Sequence, residues 1–162
     1  MASTRTKAAT AKWSLAPSMT LKGHGQYIGS ISYFPDGQRM VSGSDDATAR
    51  QWDLKEGKEI EEVRDVCEEE VQAVAVSKDS QWVVTSAGGG WEDADSAELK
   101  VCEVETGIVK NLPGHSEAIS CIDISADNTQ LASGSFDETV RIWNMETGKL
   151  VISHLKCCKR RG

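Results

Sequence analysis

Residues 114–144 read GHSEAISCIDISADNTQLASGSFDETVRIWN, and residues 23–53 read GHGQYIGSISYFPDGQRMVSGSDDATARQWD. The two stretches lie 91 residues apart and share one register. His24 pairs with His115, Ser42 with Ser133, Gly43 with Gly134, Asp46 with Asp137, and Trp52 with Trp143. Five residues of five kinds in one register mark a chain built from repeated units that bury their faces on one another. A weaker copy lies between them. Cys67 stands at the histidine position, Thr85 at the serine position and Cys102 at the tryptophan position. Histidine to serine spans 18 residues in the outer copies, as does Cys67 to Thr85. Serine to tryptophan spans 10, but Thr85 to Cys102 spans 17, so the middle copy carries a seven-residue insertion. The chain reads as three repeats.

Each repeat places apolar residues four, seven and nine positions after the histidine: Ile28, Ile31 and Tyr33; Val71, Val74 and Val76; Ile119, Ile122 and Ile124. The last step is strand alternation, and β-branched residues dominate. Turn-forming stretches follow, PDGQ at 35–38, SKDS at 77–80 and SADN at 125–128, whose side chains bond their own backbone. A second strand passes through 40–42, 82–85 and 129–133, and a third ends at Trp52, Cys102 and Trp143. A further turn (KEG, ETG, ETG) then leads to a fourth strand. Four short strands in about 40–45 residues make one propeller blade.

On the joint GH…SGSxD…W pattern, the chain closely resembles the WD40 repeat family over residues 20–155. The resemblance implies an all-β fold, a partial β-propeller of three four-stranded antiparallel blades at about 23–64, 65–112 and 113–155. A stray N-terminal strand over 13–21 is also expected, with basic tails at 1–12, expected to be disordered, and 156–162. It implies structural tetrads, His24–Ser42–Asp46–Trp52 and His115–Ser133–Asp137–Trp143. In each the tryptophan N–H donates to the serine, the serine bonds the histidine and the histidine bonds the aspartate. The middle blade, with Cys67, Thr85, Gly89 and Cys102 at those positions, is expected to be the loosest. The WDxR box of ubiquitin-ligase adaptors is absent, since Leu54 and Lys55 follow Trp52-Asp53 and Asn144 follows Trp143.

The same His, Ser and Asp residues could be read as a hydrolase triad, which needs a free serine hydroxyl and an oxyanion hole. Recurrence of the set, each time with a tryptophan ten residues after the serine, favours bracing over catalysis. The expectation is no enzyme, no catalytic residue, no cofactor and no metal site.

In the resembled family, the loop before the first strand and the loop between the second and third share one rim. In the middle repeat both are acidic: Glu68, Glu69 and Glu70 in one, and Glu92, Asp93, Asp95 and Glu98 in the other, with Trp91 among them. An aromatic amid carboxylates suits a basic peptide. Phe136, before the turn aspartate, is a further candidate contact, with Asp45 as its counterpart. The glycines at 88–90 are not GxGxxG and precede no helical pattern. Asp93 and Asp95 lack the remaining calcium-loop ligands.

Charge narrows the partners. The first twelve residues contribute three positive charges and the last seven contribute four, so a total of −7 leaves −14 on residues 13–155. Such a body repels nucleic-acid phosphate. No apolar run reaches the roughly 20 residues of a membrane helix, and the first residues lack a secretory h-region. A cytoplasmic or nuclear protein is expected. The five cysteines form no CxxC pair and give no metal spacing. Cys67, Cys102 and Cys121 fall on positions that read as buried, while Cys157 and Cys158 read as part of an ordinary tail. Three blades do not close a ring, so the chain is expected to be a piece of a longer propeller, to self-associate through open ends, or to be a truncated product without an independent role. The function expected is a non-catalytic scaffold for other proteins.

Overall fold

The computed structural model describes residues 19–60, 65–89 and 97–156, and these contain strands and turns but no helix. The first sheet holds β1 (Ile28–Tyr33), β2 (Arg39–Ser44), β3 (Thr48–Asp53), β4 (Lys58–Glu59) and β5 (Asp65–Val66). The second holds β6 (Val71–Val76), β7 (Trp82–Gly88), β8 (Ala97–Glu103) and β9 (Val109–Asn111). The third holds β10 (Ile119–Ile124), β11 (Gln130–Ser135), β12 (Thr139–Asn144) and β13 (Leu150–Lys156). Every pairing is antiparallel and joins consecutive strands, except that β4 and β5 both pair with β3 as two halves of one outer strand. The first sheet therefore runs two residues past the expected boundary at 64, and the third runs one past 155.

A β-bulge sits at the same place in all three sheets, between Ile28 and Ser30, Val71 and Ala73, and Ile119 and Cys121. It explains the odd spacing of the apolar residues. Positions four and seven would face opposite ways in a regular strand, and the extra residue turns both to one face. The turns are tied as their composition implies. Asp36 accepts from the backbone N–H of Gln38 and Arg39, Asp79 from Gln81, and Asp127 from Thr129.

Two apolar cores lie between the three sheets. Val41 and Ala49, from one face of the first sheet, meet Val71, Val74 and Val83 of the second. Val84, Leu99 and Val101, from the opposite face of the second, meet Ile119, Leu131 and Trp143 of the third. Side chains also tie the sheets: Ser30 and Ser32 Oγ accept the N–H of Val74 and Val76 at 3.1 and 3.2 Å. Ser86 donates to the Ile119 carbonyl at 3.0 Å.

Two expectations are corrected. Residues 19–21 form no strand, and the rest of the stray strand lies outside the described residues. Cys121 is exposed, where its repeat position had read as buried. Cys121 faces out from the far side of the third sheet, which no described residue covers. The middle blade, expected to be the loosest, is enclosed on both faces. Enclosure comes from neighbours and does not require the tetrad. The tails 1–12 and 157–162, with Cys157 and Cys158, lie outside the described residues.

Candidate functional site

The register of β2 against β3 sets Ser42 opposite Arg50 and Met40 opposite Trp52, so serine and tryptophan share a face two residue pairs apart along the strands. The loop ahead of β1 carries His24 back over that face. Trp52 Nε1 donates to Ser42 Oγ at 2.8 Å, Ser42 Oγ lies 2.7 Å from His24 Nε2, and His24 Nδ1 lies 3.0 Å from Asp46 Oδ2. In the third sheet the corresponding distances are 2.9 Å for Trp143 to Ser133, 2.8 Å for Ser133 to His115 and 2.8 Å for His115 to Asp137. The indole and imidazole meet edge to face in both, at 62° and 63°. A carboxylate only accepts, so Nδ1–H donates to the aspartate, and the serine hydroxyl donates to Nε2 while accepting from the indole. Ser42 and Ser133 are 2% and 1% exposed, and both hydrogen-bonding sides of each hydroxyl are occupied.

The aspartates are the most heavily bonded members. Asp46 accepts from the Thr48 hydroxyl at 2.5 Å and the Gly25 N–H at 2.8 Å. Asp137 accepts from the Thr139 hydroxyl at 2.6 Å and the backbone N–H of Ser116 and Thr139. Burial acts to raise both carboxyls, but these donors and the histidines overcome it. Asp137 is lowered to about 2, and Asp46 is held well below the usual carboxylate range.

Sequence reasoning missed Thr48 and Thr139, although they keep the same 91-residue register. It also missed the arginine two residues before each tryptophan. Arg50 binds Glu59 at 3.0 Å and approaches Asp46 at 3.7 Å. Arg141 stands where Arg50 does, but Leu150 replaces Glu59, and Arg141 Nε is buried without a hydrogen-bond partner among the described residues. The guanidinium groups of these arginines lie against the glycine of the GH pair. A Cβ on Gly114 would lie 2.1 Å from Arg141 Nη1, and its φ of +153° already favours glycine.

The rim residues occupy the same end of each sheet as the two aspartates. Asp45, Gly88 and Phe136 donate backbone N–H groups to the carbonyls of Tyr27, Glu70 and Ala118, one pair per blade. Phe136 is 62% exposed and Tyr27, which sequence reasoning passed over, is 74% exposed. Glu68 is exposed, while Glu69 and Glu70 are half-buried. Glu98 turns to its own sheet, pairing with Lys100 at 2.8 Å and accepting from the Glu68 N–H at 3.4 Å. Trp91, Glu92, Asp93 and Asp95 lie outside the described residues. No His, Cys, Asp or Glu cluster among the described residues has the form of a metal site. No helix among them is long and apolar enough to cross a membrane.

Comparison with known proteins agrees with this architecture. The family model described as WD domain, G-beta repeat, matches residues 15–53 and 107–144 and passes over the degraded middle copy. Transcription factor unc-37 of Caenorhabditis elegans is 30% identical over 142 residues, covering 82% of this chain and 22% of that protein. A guanine nucleotide-binding protein subunit beta of Oryza sativa subsp. indica is 30% identical over 130 residues, covering 76% and 34%. Protein groucho of Drosophila melanogaster is 29% identical over 134 residues, covering 79% and 17%. The chain thus spans 17–34% of the length of these relatives. The solved structure of U3-55K matches with a TM-score of 0.73 over 83% of this chain and 41% of that one, at 20% identity, a likeness of fold. Three bulged four-stranded sheets, two repeated hydrogen-bond networks and these matches place the chain in the WD40 repeat family.

Proposed function

We propose that the chain is a non-catalytic scaffold that binds other proteins at the rim carrying Tyr27, Glu68, Glu69, Glu70 and Phe136. The observation that carries this is the contrast between two kinds of residue. The histidines and serines with a chemical repertoire are spent on one another inside the sheets. The aromatics at the rim are open to solvent. A serine whose hydroxyl accepts from an indole and donates to an imidazole braces β2 against β3 and against the loop ahead of β1. A half-made network of this kind is costly, which accounts for its recurrence as a complete set.

The partner that suits the rim is a basic, extended protein segment. Tyr27 and Phe136 supply apolar area for anchors, and the glutamates between them supply attraction and steering. The acidic sequence at Trp91, Glu92, Asp93 and Asp95 belongs to the same reading. Partners of this kind fit relatives whose names describe a transcription factor and a subunit of a guanine nucleotide-binding protein. A location in the cytoplasm or nucleus accords with such partners.

The test is fluorescence anisotropy with a panel of labelled Lys/Arg-rich peptides and their acidic counterparts. Basic peptides should bind with salt-sensitive affinity, and Phe136→Ala and Glu68→Lys should each weaken them. Binding that ignores both substitutions would remove the rim from consideration. Covalent labelling of Ser42 or Ser133 by a fluorophosphonate would overturn the non-catalytic reading.

A further inference from the structure

The same repeat position meets three different surroundings. Four residues after the histidine position stand Ile28, Val71 and Ile119. Val71 is 0% exposed and Ile119 1%, whereas Ile28 is 46% exposed. Seven residues after it, Val74 is 6% exposed and Ile31 56%. Nine residues after it, Val76 and Ile124 are half-buried and Tyr33 is exposed. All are apolar, so what differs is the sheet lying against them. The second and third blades have a neighbour on this leading face. Among the described residues, the first has none, and a shallow groove there reaches down to His24, Met40 and Trp52.

The chain's own joints show what covers a leading face. At the first joint Gly43 seats on Val71, so closely that a Cβ would fall 2.5 Å from Val71 Cγ1. At the second, Ser86 stands where Gly43 does and bonds the carbonyl of Ile119. In both, the residue after the serine position of one blade meets the fourth residue after the histidine position of the next. The third pair of this series is Gly134 and Ile28, at opposite ends of the chain. A Cβ on Gly134 would meet only Cys121 Sγ of its own sheet, at 2.7 Å, so no other blade lies there, and the place Val71 takes at the first joint opens when that thiol turns aside about χ1. The hydrogen-bonding groups are also present. Ser30 and Ser32, which accept from Val74 and Val76, correspond to exposed Cys121 and Asp123 at the trailing end. Val74 and Val76 correspond to Ile31 and Tyr33 at the leading end.

We propose that the leading face of one copy seats on the trailing face of a second, and the reverse, closing two chains into a six-bladed ring. Each new joint sets Gly134 on Ile28, Cys121 beside the Ile31 N–H and the Asp123 carboxylate on the Tyr33 N–H. A carboxylate on an amide is a stronger acceptor than the hydroxyl it replaces. Six blades fall within the range of about four to eight in which propellers close. The contact is head-to-tail, and with three blades from each copy it closes at two instead of growing into a filament. The inference rests on the repeat geometry alone and does not depend on the rim binding a peptide.

Sedimentation velocity of the whole chain across a range of concentrations tests it. The expected limit is a particle of twice the 17.6 kDa chain mass. Ile31→Glu and Cys121→Lys change exposed positions at the two ends, and each alone should leave monomer. Mixing the two variants should restore the doubled mass, because the introduced carboxylate and ammonium then face each other across a joint. Maleimide labelling of Cys121 in the unmodified protein should be lost in the dimer and regained on dilution. Wild-type chain that stays monomeric, or a mass ladder with no stop at two, overturns the ring. So does a dimer indifferent to Cys121→Lys, which would be joined through two leading faces, or a mixture of variants that stays monomeric.

Discussion

Replacing Trp143 by alanine tests whether the tetrad is a brace within a packed core. Trp143 is 2% exposed and lies among Leu131, Val84, Leu99 and Met145. Emptying a site of this kind costs about 3–5 kcal/mol. The substitution also removes the N–H that Ser133 accepts at 2.9 Å, which adds about 1 kcal/mol for a buried hydroxyl left with one partner fewer. The total is about 4–6 kcal/mol. Cys102, at the same repeat position in the middle blade, is half-buried and far smaller than an indole, and its thiol contacts the Glu103 carbonyl at a long 3.7 Å. Cys102→Ala should cost about 1 kcal/mol. With a urea dependence of about 2 kcal/mol per molar, the midpoints should fall by about 2–3 M and about 0.5 M. Both are read by circular dichroism at one chain concentration. Small domains hold only about 5–15 kcal/mol, so Trp143→Phe, which keeps most of the ring and loses the donor, is the companion variant and should fall between. Equal midpoint losses for Trp143→Ala and Cys102→Ala would refute the reasoning.

The two depressed aspartates make stability depend on acid. Their folded values lie below the ordinary carboxylate value near 3.8, so the stability they contribute is present above about pH 5 and lost as pH falls toward about 2. Asp137→Asn should flatten the decline in urea midpoint over that window, and an unchanged slope would count against the network. Gly114→Ala combines strained φ with a collision against Arg141 and should cost about 1–3 kcal/mol. Gly25→Ala, with open space around it, should stay within about 0.5 kcal/mol of wild type; the same urea titrations compare them. Leu150→Glu gives Arg141 the carboxylate that Glu59 gives Arg50, and should raise stability by about 0.5–1.5 kcal/mol. A lower midpoint would show that the side chain at position 150 does not reach the guanidinium.

Much of the candidate site was legible because its members sit within one blade. Histidine, serine and tryptophan are brought together by a loop and two adjacent strands whose register repeats. Spacing along the chain therefore stands in for distance in space. Thr48 and Thr139 kept the same spacing and were overlooked only because threonine in a strand reads as ordinary strand composition. The arginines were a different case. Nothing in the sequence shows that Arg141 lies over Gly114, or that its Nε, whose counterpart on Arg50 donates to Thr48, has no partner among the described residues. Likewise, no count of acidic residues shows that Glu98 is turned to Lys100.

From its residues alone the chain determined three units, their strand periodicity and the two buried relays, since each depends on neighbours close in sequence. The tertiary structure decided which of three equivalent apolar strands is covered. Ile28 and Ile119 occupy one repeat position, yet one lies open and the other is buried. It also decided that Cys121 is exposed and that the middle blade, poorest in motif, is enclosed on both sides. The physical reason is that a hydrogen-bonded hairpin is a local arrangement, whereas burial belongs to a pair of sheets and exists only where a second face is brought against the first.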